Sequence, residues 1–466
     1  MVPGYESLCT AAEMRAAEEA YPGFPAAASE LMDRAGTAVA LEAMRAYPQA
    51  RRFAVVCGSG SNGGDGRIAA RVLREAGRET VETDAVEGCD VVVDALFGTG
   101  FRGVPRPEAQ ALIERINSCE LPVVAVDLPS GVDASTGEVA GAAARATLTV
   151  TFQARKVGLA VAPGRFHAGE VVVADIGLGP IETAARRATS ALLQRVPLRA
   201  AHDSKFTAGS VLVVGGAPGT TGAPVLAAMA ALRADAGYVT LAVPRECLAV
   251  VEVLALEPVK RGFDWDDAEE TIMAEAERAN AVALGPGLGR SAEALALVAR
   301  LLELLEVPVV VDADALFGLQ PVSRAHPTVL TPHAGELARL LGRDSAWVDA
   351  HRLEAVREAA ERYRAVVLLK GADTIVQAPT GGPVVCDAGP PSLATAGTGD
   401  VLTGVVAAFL AKGLDPVTAA AAAATAHGLA TAAVPHPAGL IASDVVAALP
   451  LALSRSPVAG NGAPSS

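Results

Sequence analysis

Short apolar runs ending in Gly, Asp or Pro recur along this chain with helix-like runs between them. That alternation is the strongest constraint on its fold. FAVVC (53–57), VVVDALFG (91–98), PVVAVDLPSG (122–131), TLTVTF (147–152) and EVVVADIG (170–177) form one series. SVLVVGG (210–216), VTLAVP (239–244), AVALGPG (281–287), VPVVVDADAL (307–316), TVLTP (328–332) and AVVLLKG (365–371) form a second, which closes on two Ala-rich helices after GTGD. Apolar strands alternating with helices require parallel sheets covered on both faces. The fold class expected is α/β, as two three-layer domains.

Residues 181–203 are rich in Ala and Arg, lack the glycine punctuation on either side and show no strand pattern. They are read as the linker, giving domains at 1–195 and 200–455 and a small polar tail, 456–466, expected to be disordered. The two series differ in their glycine motifs and spacings, which points to two activities on one chain. At 466 residues each series has room for its own core. The net charge of −14, from 38 basic and 52 acidic side chains, argues against nucleic-acid binding. Cys9, Cys57, Cys89, Cys119, Cys247 and Cys386 are scattered, with no C-x-x-C pair. A disulfide framework or zinc site is not expected, and a reducing, cytoplasmic compartment fits. The N-terminus is too charged for a signal peptide. The apolar stretch 401–434 is broken by Lys412, Asp415 and His427, so it reads as buried helices rather than a membrane span.

GSGSNGGDG (58–66) holds a G-x-G-x-x-G at Gly58, Gly60 and Gly63. A dinucleotide-cofactor turn needs a strand before it, a helix after it and an acid roughly 20 positions on. FAVVC and IAARVLREAG (68–77) supply the first two, and Glu82 or Asp84 the third. A cofactor turn has no need of the extra Asn62-Gly63-Gly64-Asp65, although Asp65 could cap a helix. Asp94, Asp127 and Ser130 stand at other strand ends of the same series. Ligands collect beyond the carboxyl ends of parallel strands, so Asn62, Asp94 and Ser130 can converge. Hard oxygen ligands of low total charge suit K⁺ better than zinc.

GSGSNGGDG, VVDALFGTG, AVDLPSGVDASTG, TVTFQARKVG and VVVADIG, in this order, resemble the NAD(P)H-hydrate epimerase family over roughly residues 5 to 180. The family has two Asn before Gly-Gly-Asp; here the first is Ser61. The resemblance implies a Rossmann-like domain that binds a nicotinamide dinucleotide as substrate. The implied contacts are Ser61, Asn62, Gly63, Gly64 and Asp65, the loop Gly98, Thr99, Gly100, Phe101, Arg102, Gly103 and Val104, and Asp127. It implies K⁺ at Asn62, Asp94 and Ser130, and makes Asp127 the acid/base candidate. Lys156 matches a lysine the family places near the site; its plain alternative is a solvated surface lysine.

In the second series, ATAGTGDVLTGVVAAFLA (394–411) puts Gly397 and Gly399 at a helix start, a place for a phosphoryl group. Asp400 could cap that helix, but a carboxylate beside an anion hole is better explained as a base. LLKGADTIV (368–376) reads as an ordinary turn or as a nucleotide-phosphate loop. With GTTGAPVLAAMAALRADAGYVTLAVP, GPGLG, VVDADAL and LTPHAGELARLL, these runs resemble the ADP-dependent NAD(P)H-hydrate dehydratases, which have a ribokinase-like fold, over roughly residues 200 to 452. The resemblance implies that Ala223, Gly287, His333 and Asp400 contact the hydrated substrate. It implies that Lys370, Gly371, Ala372, Asp373, Thr374 and Gly399 hold ADP. Mg²⁺ is expected near Asp312 and Asp314, and His333 could otherwise be a buried structural histidine.

The expected protein is a bifunctional repair enzyme for hydrated NADH and NADPH that uses ADP as co-substrate, probes no membrane or nucleic acid, and assembles as a homo-oligomer. A vitamin-precursor kinase, with the first domain as a non-catalytic nucleotide-binding scaffold, is the alternative.

Overall fold

This computed structural model describes residues 3–83, 86–199, 204–205, 207–321, 323–436 and 438–454. Asp84 and the tail 456–466 lie outside the described residues. The chain divides into two compact units. One holds Ser7–Arg186 with Asp349–Arg352, the other Met1–Glu6, Arg187–Val348 and Leu353–Ser466.

The first unit carries a six-stranded sheet in the order Glu79–Glu82, Arg52–Cys57, Val91–Ala95, Val123–Val126, Leu148–Phe152 and Glu170–Ala174. Every pairing is parallel. Successive side chains of a strand point to opposite faces, and both faces are used. Phe53, Val55, Val91 and Val93 pack with Leu31, Val39, Ala69 and Leu73 from the helices Ala28–Ala46 and Ser61–Glu75. Ala54, Val56 and Val92 pack with Ile113 and Ile116 from the helix Pro107–Ser118.

The sheet of the second unit runs Val259–Phe263, Tyr238–Pro244, Ser210–Val214, Ala281–Leu284, Val309–Val311, Thr328–Leu330 and Val366–Leu369, all parallel. Two further strands, Thr374–Gln377 and Val384–Cys386, extend it in antiparallel fashion. Sequence periodicity misses this pair because the strands are only four and three residues long. Val211, Val213, Leu241 and Ala283 face a core built with the helices Gly222–Arg233, Thr398–Ala411 and Pro416–Ala432. Leu212, Val214, Val282 and Leu284, the alternate set, are also buried. Three helices follow GTGD, not two, the last being Ala442–Ser454.

The stretch read as strand-free linker contains a short strand, Ala185–Ala188. Its two arginines hide it from a search for apolar runs; Ala185 and Ala188 are the buried positions. The Arg187 guanidinium donates to Glu6 and Asp387. Among the described residues no helix is long and apolar enough to cross a membrane.

Alanine and glycine permit close helix packing in the second unit. A Cβ at Gly404 would lie 2.0 Å from the Ala227 carbonyl oxygen on the neighbouring helix. Gly404→Ala is therefore expected to cost about 1–3 kcal/mol by overpacking. The check is the denaturant midpoint of the second unit's transition; an unchanged midpoint would contradict this packing.

Candidate active sites

In the first unit the glycine motif is not a turn ahead of the helix but its first turns. The helix spans Ser61–Glu75 and its N-cap is Gly60, in extended backbone with no side-chain cap bond. Asp65 is its fifth residue, so it does not cap. The glycines are dictated by close approach. A Cβ at Gly63 would sit 1.9 Å from the Gly58 carbonyl oxygen, and one at Gly66 would sit 2.5 Å from Ala95 Cβ. The helix start thus lies hard against the strand ends. The Gly98 backbone closes over it: a Cβ there would lie 2.7 Å from Asn62 Oδ1. The 61–65 segment and the start of the 98–104 loop are therefore neighbours. Phe101 turns back to stack on Phe97, while Arg102, Gly103 and Val104 are exposed.

Beneath them lie two buried carboxylate centres. Asp94 accepts from the Ser130 hydroxyl at 2.6 Å, the Ser130 N–H at 2.8 Å and the Leu96 N–H at 3.3 Å. Burial pushes its carboxyl up, and these hydrogen bonds pull it part of the way back. Asn62 is buried, and its Nδ2 has no partner among the described residues. The second centre is Asp127, at φ 65°, in the left-handed region. Its Oδ1 accepts from the Lys156 ammonium at 2.7 Å and the Thr151 hydroxyl at 2.9 Å. Lys156 also donates to Thr151 Oγ1 and the Phe152 carbonyl, and its side chain is 0% exposed. The surface-lysine alternative is therefore overturned: the carboxylate and two oxygens compensate the buried cation. Asp65 stands in the field of this centre. Burial, with Asp127 and Glu18, pushes its carboxyl up to about 8 against the pull of Lys156.

In the second unit the helix Thr398–Ala411 starts from Gly397 at φ 86°, with no side-chain cap. The Thr398 N–H turns to the Thr395 carbonyl at 3.4 Å, and the Gly399 and Asp400 N–H groups that follow are the ones a helix start offers to an anion. Asp400 is the third residue of this helix, and no described residue donates a hydrogen bond to its carboxylate. Burial, then the charge of Asp312, pushes it up to about 7 against the pull of Lys370. KGADT links the strands Val366–Leu369 and Thr374–Gln377, and Thr374 Oγ1 donates to the Gly371 carbonyl. Lys370 is no surface lysine. Its ammonium lies 2.8 Å from Asp312 Oδ1, and a Cβ at Gly399 would approach it to 3.3 Å. Burial alone would lower the Lys370 pKa, but Asp312 and Glu336 hold it above its ordinary value.

His333 is not buried; its side chain is 55% exposed. It N-caps the helix Ala334–Leu341, with Nδ1 accepting from the Gly335 and Glu336 N–H groups and Glu336 closing the capping box. Gly287, at φ 61°, meets Ala223: its Cβ would lie 3.1 Å from Ala223 Cβ, and Thr220 donates to its carbonyl. Asp314 belongs to the same loop cluster, accepting from Gly289 N–H and the Arg290 guanidinium.

A family model described as NAD(P)H-hydrate dehydratase matches residues 211–450, and one described as YjeF-related protein N-terminus matches residues 28–87 and 78–158. The chain is 38% identical to the bifunctional NAD(P)H-hydrate repair enzyme Nnr of Moorella thermoacetica, over 86% of this chain and 87% of the relative. It is 35% identical to the protein of that name from Escherichia coli, over 90% and 88%. The chain belongs to the bifunctional NAD(P)H-hydrate repair enzymes. The second unit is also similar to the ADP/ATP-dependent NAD(P)H-hydrate dehydratase of Bacillus subtilis, crystallised with ATP and Mg²⁺. That structure matches with a TM-score of 0.53 and 28% identity, over 58% of this chain and 98% of that one.

Within this repair-enzyme frame, the sequence motifs leave several partners unmarked. Thr151 and Thr403 read as ordinary strand and helix residues, yet Thr151 donates to Asp127, and Thr403 donates to Asp312 at 2.6 Å. Arg290 directly follows GPGLG without any mark of its contact with Asp314, and Glu336 pairs locally with His333 in the capping box. Apart from that box, each partner lies on a distant element.

The raised Asp400 carboxyl has a thermodynamic consequence. An unfolded carboxylate titrates near 3.9, so the folded chain holds an extra proton between about pH 4 and its folded value of about 7. Stability therefore falls as pH rises through that window. Asp400→Asn removes the cost, so the variant is expected to melt higher than the parent at about pH 8 and no higher at about pH 4. Equal melting at pH 8 would contradict the raised carboxyl.

Proposed function

We propose that the first unit epimerises the R and S forms of hydrated NADH and NADPH, and that the second dehydrates the S form with ADP, giving AMP and phosphate. The observation that carries the reading is Asp400. It is a half-buried carboxylate whose proton affinity is raised by burial and by Asp312, with no hydrogen-bond donor among the described residues, at an uncapped glycine helix start beside Lys370.

In the dehydration, Asp400 accepts the proton of the substrate's C6 hydroxyl while the terminal phosphoryl group of ADP passes to that oxygen. Gly399 and the first N–H groups of its helix receive the phosphoryl charge, and Lys370 stands next to them. Phosphate then leaves C6 with loss of a C5 proton, restoring the ring double bond. Hydroxide is a poor leaving group and phosphate a good one, which is why a kinase-like fold suits a dehydration. KGADT is read as the ADP loop, and Ala223, Gly287 and His333 as contacts of the hydrated substrate. Mg²⁺ would accompany the nucleotide. Both carboxylate oxygens of Asp312 and of Asp314 are already in hydrogen bonds. That favours an ion held chiefly by phosphates over one caged by these aspartates.

In the epimerase unit the oxygens of Asn62, Asp94 and Ser130 are the hard donor set read as holding K⁺, with Asp94 fixed by the Ser130 hydroxyl and two N–H groups; the Asn62 Nδ2, without a partner among the described residues, is a donor and suits an acceptor atom of the dinucleotide rather than the ion. The ion would supply fixed positive charge beside the dinucleotide. Asp127, oriented by Lys156 and Thr151, handles the proton at the hydrated ring. The loop Gly98 to Val104 and the residues Ser61 to Asp65 bind the dinucleotide. A homo-oligomer and a cytoplasmic location complete the reading.

Asp400→Asn is expected to reduce dehydration at least about a hundredfold, within the range for loss of a general base, while epimerisation persists. Measured separately on purified S and R hydrates, loss of both activities together would sink the two-site reading.

A further inference from the structure

The second unit contains a cavity of about 290 Å³ lined in part by residues of the VVDADAL and LTPHAGELARLL runs. Its walls include Glu336, Arg339 and Leu340 of the helix Ala334–Leu341, Arg362 and Tyr363 of the helix Arg352–Tyr363, and Phe317. Three observations set it apart from an ordinary surface groove. First, it adjoins the proposed substrate contacts on two sides. Glu336 lines it and lies 3.5 Å from His333 Nε2. Arg290, next to the Gly287 loop and bound to Asp314, stands over the Phe317 ring at 5.0 Å. Second, Arg339 and Arg362 come together here from separate helices, and among the described residues neither has a carboxylate partner. The one nearby acid, Glu336, is turned toward the His333 N–H at 2.8 Å. Third, Phe317 is 41% exposed beside these cations, with the Arg290 guanidinium already over one side of its ring.

A hydrated dinucleotide whose reacting ring reaches Asp400 must place its adenosine half somewhere beyond His333 and Gly287. Guanidinium groups pair with phosphate through a planar fork, and an open aromatic face stacks a purine. We infer that this cavity receives the adenosine half of the hydrated dinucleotide, with Arg339 and Arg362 pairing with its phosphate groups and Phe317 stacking on the base. The inference rests on the dehydratase reading of the second unit. It assigns the specificity for a dinucleotide over a bare hydrated nicotinamide to Phe317, Arg339 and Arg362, none of which was a candidate site residue in the sequence.

The test is steady-state dehydration by the full chain, with the S hydrate of NADPH or NADH and ADP as varied substrates. The variants are Arg339→Ala/Arg362→Ala, Arg339→Lys/Arg362→Lys and Phe317→Ala. Losing a charged contact to phosphate is worth about a tenfold change. The KM for the hydrate should therefore rise at least about tenfold, and up to about a hundredfold, in the double Ala variant, which removes two such contacts. It should recover in part with Lys, while kcat and the KM for ADP stay within about twofold. A larger rise for NADPH hydrate than for NADH hydrate would place the arginines at the 2′-phosphate, and an equal rise at the pyrophosphate; both support the inference. A hydrate KM that does not move, or a rise confined to the KM for ADP, overturns it. A wild-type chain that dehydrates neither hydrate would instead sink the reading on which the inference rests.

Discussion

The phosphate side of the second unit depends on one buried carboxylate. Asp312, 1% exposed at the end of the strand Val309–Val311, cannot be left in the interior uncompensated. It takes the Lys370 ammonium on one oxygen and the Thr403 hydroxyl on the other. That pairing joins three segments far apart in sequence: a strand end, a hairpin turn and the helix that follows GTGD. It keeps Lys370, half-buried, beside Gly399. It also adds to the field that lifts Asp400 to about 7. A group that titrates near neutrality can change its protonation at little cost during a reaction. The tie that completes the core therefore also poises the base.

The first unit applies the same logic with different residues. Lys156, fully buried, is balanced by Asp127 and by the oxygens of Thr151 and Phe152. Asp65 sits in the field of that pair and is pushed toward its neutral form. The glycines of the 58–66 segment act on the backbone: they let the helix start touch the strand ends, where a side chain would collide.

Most strands and the two-part organisation were legible because strand length, apolar content and Gly or Asp endings repeat in both series. The glycine-rich helix starts were legible for a physical reason as well, since close backbone approach excludes other residues. What sequence alone missed was set by three-dimensional contact. Lys156 reads like any lysine until the fold buries it against Asp127. His333 reads as a candidate buried histidine until its N-capping role and exposure are seen. The strand Ala185–Ala188 was masked by its own arginines, and Arg339 and Arg362 lie 23 positions apart with nothing local to relate them. The antiparallel pair Thr374–Gln377 and Val384–Cys386 was too short for its alternation to register.

The central claim is that one chain carries two linked activities, one feeding the other. The most direct measurement is the recovery of reduced-nicotinamide absorbance from an equilibrated R and S mixture of hydrated NADH, with ADP, with ATP or with neither. The account predicts full recovery with ADP, because the first unit keeps converting R into S as the second consumes it. Recovery that halts at the S fraction, or that never starts with any nucleotide, would contradict it.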